Sequence, residues 1–124
     1  VAVLALSGST HRGSIDRVAA DAVVIRRVQD GRRVLLSIDA IVGIRHVGDG
    51  HARSIDRLAG AVTFADILAE LSEDRPRLAV VAEGGSQLMG TLVFTGLDQL
   101  TLRLDGDGDL LTIPIRAVDE AVVG

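Results

Sequence analysis

Apolar residues occur along this chain in short runs, broken at close intervals by Gly, Asp and Ser. That spacing predicts short strands and tight turns. Five strands are expected over Val1–Leu6, His11–Val18, Asp21–Arg27, Arg32–Ser37 and Ile41–Val47, with turns at Ser7-Gly8 and Gln29-Asp30-Gly31 and a tight connection at Ile38–Ala40. Five more follow over Arg77–Glu83, Gln87–Thr95, Asp98–Leu104, Leu110–Ile113 and Ala117–Val123, with a turn at Asp105–Asp109 and a connection at Pro114–Arg116. One segment changes period: Phe64, Ile67, Leu68 and Leu71 recur at i, i+3, i+4 and i+7, the stripe of an amphipathic helix. Thr63 reads as its N-cap and Pro76 enforces its stop, giving a helix from about Phe64 to Ser72. Residues 48–62, with Gly48, Gly50 and Gly60, read as a connector.

The two sets of strands are copies. Sliding the chain against itself by 77 residues aligns 1–47 with 78–124 without a gap and with 12 identities. Among the identical pairs are Gly8/Gly85, Gly13/Gly90, Asp21/Asp98, Asp30/Asp107, Gly31/Gly108, Ile38/Ile115 and Ala40/Ala117. These are the turn and corner residues that a duplicated fold has to keep. Asp-Gly between two β-rich runs is a strong local hairpin signal and stands at the same place in both copies. A shorter self-match, Ser14–Arg17 with Ser54–Arg57, does not extend and carries no architecture. The predicted organisation is a first small barrel at 1–47, a connector at 48–62, and a helix plus second barrel at 63–124. Each barrel is expected around its own aliphatic interior.

Composition narrows the chemistry. Phe64 and Phe94 are the only aromatics among 124 residues, so Val, Leu, Ile and Ala must fill the interior. Without cysteine there is no disulfide framework, thiol nucleophile or thiolate metal site. No apolar run approaches the roughly 20 residues of a membrane span, and the expectation is a soluble, cytoplasmic protein. All 13 basic residues are arginine and lysine is absent, the imprint of a GC-rich genome.

The glycine spacing Gly8-x4-Gly13, the segments "RVAADAVVI" and "SIDAI", and their second-copy counterparts Gly85-x4-Gly90, "FTGLDQLTL" and "PIRAV" resemble the Sm-like fold of the Sm, LSm and Hfq proteins. Closer still is the likeness to an actinobacterial family with two such barrels in tandem. The resemblance covers the whole chain except about residues 48–62. It implies a mainly β fold with one helix, built as two tandem SH3-like five-stranded barrels. It also implies RNA as a ligand, and assembly by joining the fourth strand of one barrel to the fifth of the next. In that family a helix precedes the first strand, so the natural protein is expected to extend upstream of Val1.

Departures from the family bear on the ligand. Neither copy has an aromatic in its third strand for base stacking, worth roughly 1–3 kcal/mol per base. The connection position that meets the nucleotide holds Asp39 in one copy and Arg116 in the other. The net charge of -4 opposes a polyanion. Its distribution is uneven: nine Arg against six Asp give +3 over 1–62, and four Arg against eleven acids give -7 over 63–124. Arg26, Arg27, Arg32 and Arg33 flank one hairpin and, with Arg116, are the candidate RNA contacts; the plain alternative is a solvated hairpin tip.

Gly8, Gly13, Asp21, Gly85, Gly90 and Asp98 read as structural turn residues. Asp105, Asp107 and Asp109 lack the acidic twelfth position of a calcium loop, where Arg116 stands. His11, His46 and His51 lack metal-site spacing and read as surface residues. No cofactor, metal or catalytic constellation is expected. Two functions follow: a non-enzymatic Sm-like binding or assembly module with RNA as ligand, or a protein-interaction and homo-oligomerisation domain that uses exposed strand edges.

Overall fold

The computed structural model of the chain describes residues 1–46 and 62–124. The first repeat holds β1 (Ala2–Ala5), β2 (Thr10–Val18), β3 (Ala22–Arg27), β4 (Arg33–Ser37) and β5 (Ile41–Arg45). Helix α1 (Phe64–Ser72) is followed by β6 (Arg77–Ala82), β7 (Gln87–Thr95), β8 (Gln99–Leu104), β9 (Leu110–Pro114) and β10 (Val118–Val123). One-turn 3-10 helices at Ile38–Ala40 and Ile115–Ala117 lead into β5 and β10. Shifted by 77 residues, β2, β3, β4 and the first 3-10 turn fall on β7, β8, β9 and the second with the same bounds. The connector expected at 48–62 lies, apart from Val62, outside the described residues. So do His51 and the second copy of the short match at Ser54–Arg57.

All the strand pairs are antiparallel. Among the described residues they form one ten-stranded sheet in the order β5-β1-β2-β3-β4-β10-β6-β7-β8-β9. Each repeat thus runs fifth, first, second, third, fourth. The chain forms one open sheet where two small barrels were expected, because β4 of the first repeat pairs with β10 of the second, the fourth-to-fifth joining that the resemblance implies.

Bulges bend the sheet, and they also repeat. The β2–β3 register shifts between Ile15 and Arg17 and the β7–β8 register between Leu92 and Phe94, 77 residues apart. A bulge adds a residue to one strand and sharpens its local twist, which lets strands of nine residues curl over a small interior. Gly13 and Gly90 stand just before these bends. A Cβ at Gly13 would lie 2.0 Å from the Arg26 carbonyl oxygen, and one at Gly90 would lie 2.4 Å from that of Arg103. Gly8 and Gly85 serve differently, turning the chain at φ values of 92° and 88° that other residues resist.

The interiors are aliphatic and form two clusters. One cluster belongs to the first repeat: Val3, Ala5, Val23, Ile25, Val34 and Leu36, with Val122 of β10 packed against it. The other gathers Phe64, Ile67, Leu68 and Leu71 of the helix with Val80, Leu92, Leu100, Leu102 and Ile113. It also takes in Ala22, Val24 and Leu35 from the first repeat. Val24 and Leu35 point away from their own interior, since neighbouring strand residues alternate faces. That outer face is apolar and is covered by the second repeat, so the second interior extends onto the first repeat while the two clusters stay distinct.

The helix is tied at its start. Thr63 and Asp66 form a reciprocal capping box, and the backbone amide of Phe64 donates to Asp21 Oδ1 of the first repeat at 2.7 Å. The close approaches at the two glycines yield a test. Gly13→Ala and Gly90→Ala should each destabilise the fold by about 1–3 kcal/mol through forced backbone shifts, read as a lower urea midpoint at unchanged slope.

Candidate functional site: the joint between the repeats and the two open edges

The repeats meet along the β4–β10 ladder, with Leu36 opposite Glu120, Leu35 opposite Ala121 and Val34 opposite Val122. Leu36 and Val34 face the first interior, so their partners Glu120 and Val122 enter it as well. Glu120 is 3% exposed and His11 5%. His11 Nε2 lies 2.7 Å from Glu120 Oε2, and the Ser7 hydroxyl donates to Oε1 at 2.6 Å. Both carboxylate oxygens of a buried acid are thereby partnered by the other repeat, as burial of a charge demands.

His11 corrects the expectation of surface histidines; Asp119 and Glu120 alternate faces on β10, and it is Glu120 that turns inward. The signal was present in the internal alignment. Glu120 stands where the first repeat has Gly43, and His11 stands where the second has Leu88. Polar exceptions at unlike positions of otherwise matching interiors point to each other.

Burial works against the Glu120 charge. The hydrogen bonds from His11 and Ser7, with the His11 and Arg27 charges behind them, outweigh it and hold the carboxyl below the usual glutamate range. Just below the ordinary value of 4.5 the folded chain therefore binds fewer protons here than the unfolded chain. This group's stabilisation is present above that value and is lost as pH falls through the depressed folded one. Urea melts over a pH series should show this loss in the natural chain and a shallower acid limb in Glu120→Gln. His11→Ala should cost about 2 kcal/mol at neutral pH by leaving a buried carboxylate oxygen unpaired.

At the two ends of the sheet, β5 pairs only with β1 and β9 only with β8 among the described residues. Their exposure registers what they lack. Val34 and Leu35 of β4 are buried under β10, whereas their counterparts on β9, Leu111 and Thr112, are half-buried and exposed. Leu110 is 59% exposed and Val42, on β5, 66%. Arg45 closes β5, and the β9 end is flanked by the acidic Asp105–Asp109 turn.

Four of the proposed arginine contacts share the β3–β4 hairpin and the fifth, Arg116, does not. Arg26 and Arg33 face each other across β3–β4. Arg26 donates to the Gly31 carbonyl at 3.1 Å, and its counterpart Arg103 makes the same bond to Gly108 at 3.2 Å. This recurrence marks a turn clamp. Arg27 donates to Asp30 through Nε at 3.0 Å and again through its terminal nitrogen. Its bond, with backbone and charge contributions from Arg32, draws the Asp30 carboxyl down to about 2. Arg116 sits elsewhere, in a cleft of about 810 Å³ between the repeats that Asp21, Asp39 and Asp98 also line.

Asp21 and Asp98 accept equivalent backbone bonds through their carbonyls, from Ile38 and Ile115, both at 2.9 Å. Both are exposed, and among the described residues only Asp21 also receives a helix start. The Asp105–Asp109 segment is a hairpin turn held by the Asp109 amide on Asp107 Oδ1 at 3.1 Å. No group of three or more metal-ligating side chains occurs among the described residues, and no described helix is long and apolar enough to cross a membrane.

No protein-family model, curated protein or solved structure matches the chain.

Proposed function

We propose that the chain is a non-enzymatic, Sm-like assembly module: two small barrel-like repeats whose task is to join copies of the chain by strand edges. The observation that carries this reading is the β4–β10 ladder, the fourth strand of one repeat paired with the fifth of the other. That joint leaves the fifth strand of the first repeat and the fourth of the second as the sheet's two edges. The open strands are thus counterparts of the two that already pair. Moving the observed register by 77 residues sets Gly43 opposite Ile113, Ile44 opposite Thr112 and Arg45 opposite Leu111 of a second copy. Arg45 then falls diagonal to Asp109, within reach of a cross-strand ion pair. Such a head-to-tail contact generates a ring if its rotation closes.

RNA is the weaker reading. The hairpin arginines Arg26, Arg27 and Arg32 are engaged with Asp16, Asp30 and the Gly31 carbonyl. The cleft that holds Arg116 carries three carboxylates to one guanidinium, and a phosphate chain favours the reverse balance.

The chain has no cysteine, so trapping is clean. Ile44→Cys and Thr112→Cys chains should give an interchain disulfide when mixed and none alone, and the natural chain should sediment as a concentration-dependent oligomer. A monomer throughout the micromolar range, with no trapped pair, would overturn the reading. Association that disappears on nuclease treatment and falls steeply with salt would favour RNA instead.

A further inference from the structure

Two kinds of joint, one inside the chain and one between copies, would use strands of closely related shape, so something must keep them apart. Apolar packing cannot. Both repeats line their interiors with matching aliphatic residues, Val34 and Leu36 against Leu111 and Ile113, and such surfaces accept one another with little discrimination.

We propose that Glu120, His11 and Ser7 at the internal joint, set against Gly43 and Leu88 at the corresponding places of the open edges, form a matching code by which β9 accepts only β5 of a second copy. The inference rests on the edge-pairing reading above and adds to it which edges recognise each other. At the internal joint Glu120 reaches His11 and Ser7. At the joint between copies its counterpart is Gly43, and the counterparts of His11 and Ser7 are Leu88 and Gly84. A residue without a side chain thus meets an apolar one that packs on the second repeat's core.

Each exchange of partners is penalised. If β10 of one copy took β9 of another, the Glu120 carboxylate would be buried against Leu88 with neither of its partners. If β5 took β4, His11 would be buried facing Gly43, its nitrogen unpaired. A buried polar group stripped of its partner forfeits its full desolvation cost, so both exchanged ladders are weaker than the matched ones. The charges at the edge agree with the same order. Arg45 meets the acidic turn beside β9, whereas on β4 it would meet Arg32 and Arg33.

Gly43 provides a clean probe, since a Cβ there meets nothing within 4 Å among the described residues. Gly43→Glu should leave the monomer folded, with unchanged circular dichroism and urea midpoint. It should weaken association by about 100-fold by driving a carboxylate against Leu88. Adding Leu88→His to the same chain should restore association by rebuilding the internal match. A folded Gly43→Glu chain that associates like the natural one overturns the code while leaving edge pairing standing. A natural chain that stays monomeric removes edge pairing, and the code with it.

Because Leu88→His touches the core, a second measurement does not depend on it. Chains carrying both Gly43→Glu and Ile44→Cys are mixed with Thr112→Cys chains, which sets a carboxylate on the open edge itself. The code predicts a disulfide yield far below that of Ile44→Cys with Thr112→Cys, and equal yields from the two mixtures overturn it.

Discussion

Backbone amides and carbonyls along a strand edge must find partners, and two bent five-stranded repeats bring four such edges. The β4–β10 ladder satisfies one edge of each repeat with the other and so turns two sheets into one. Much else depends on that contact. It buries Leu35, carries Val122 into the first interior, and puts the outer face of β3 and β4 under the second repeat. The reach of the second interior onto the first repeat is a consequence of strand pairing, and the helix completes that interior from one side.

Within so aliphatic an interior, the His11–Glu120 pair is the contact with direction. Dispersion and burial reward any close-packed arrangement of Val, Leu and Ile, whereas a carboxylate with two fixed donors rewards one. The pair spans the two repeats, so its geometry is met only when they stand in the observed register. Charges engaged nearer the surface, such as Arg17 with Glu70 at 2.9 Å, are half-exposed and contribute little to that choice.

The sequence carried the local architecture well. The period-two runs, the Asp-Gly turns at Asp30-Gly31 and Asp107-Gly108, and the stripe Phe64, Ile67, Leu68, Leu71 each lie where the strands, turns and helix are found. The internal alignment even conserves a turn clamp, Arg26 and Arg103, read at first only as part of a basic cluster. Pairing of the fourth strand with the fifth came from the resemblance and not from the residues, because a strand's alternation marks its faces and says nothing of which strand lies beside it. His11 and Glu120 were hidden for a related reason. They are 109 positions apart, so the internal alignment marks each as an exception and the folded sheet brings the two together. The arginines show the limit of a charge count along the chain, since Arg26, Arg27 and Arg32 each lie beside an acid or a carbonyl that the count leaves out.

Helix α1 precedes the second repeat in the chain, yet its first amide is held by Asp21, a residue of the first. A helix of nine residues is too short to be stable alone, so its nucleation draws on a corner built more than forty positions earlier. The duplicated halves are therefore not interchangeable modules in the manner of beads on a string. The earlier one acts as a template on which the later one completes its fold, and loss of order in the first would propagate into the second as a single cooperative melting event.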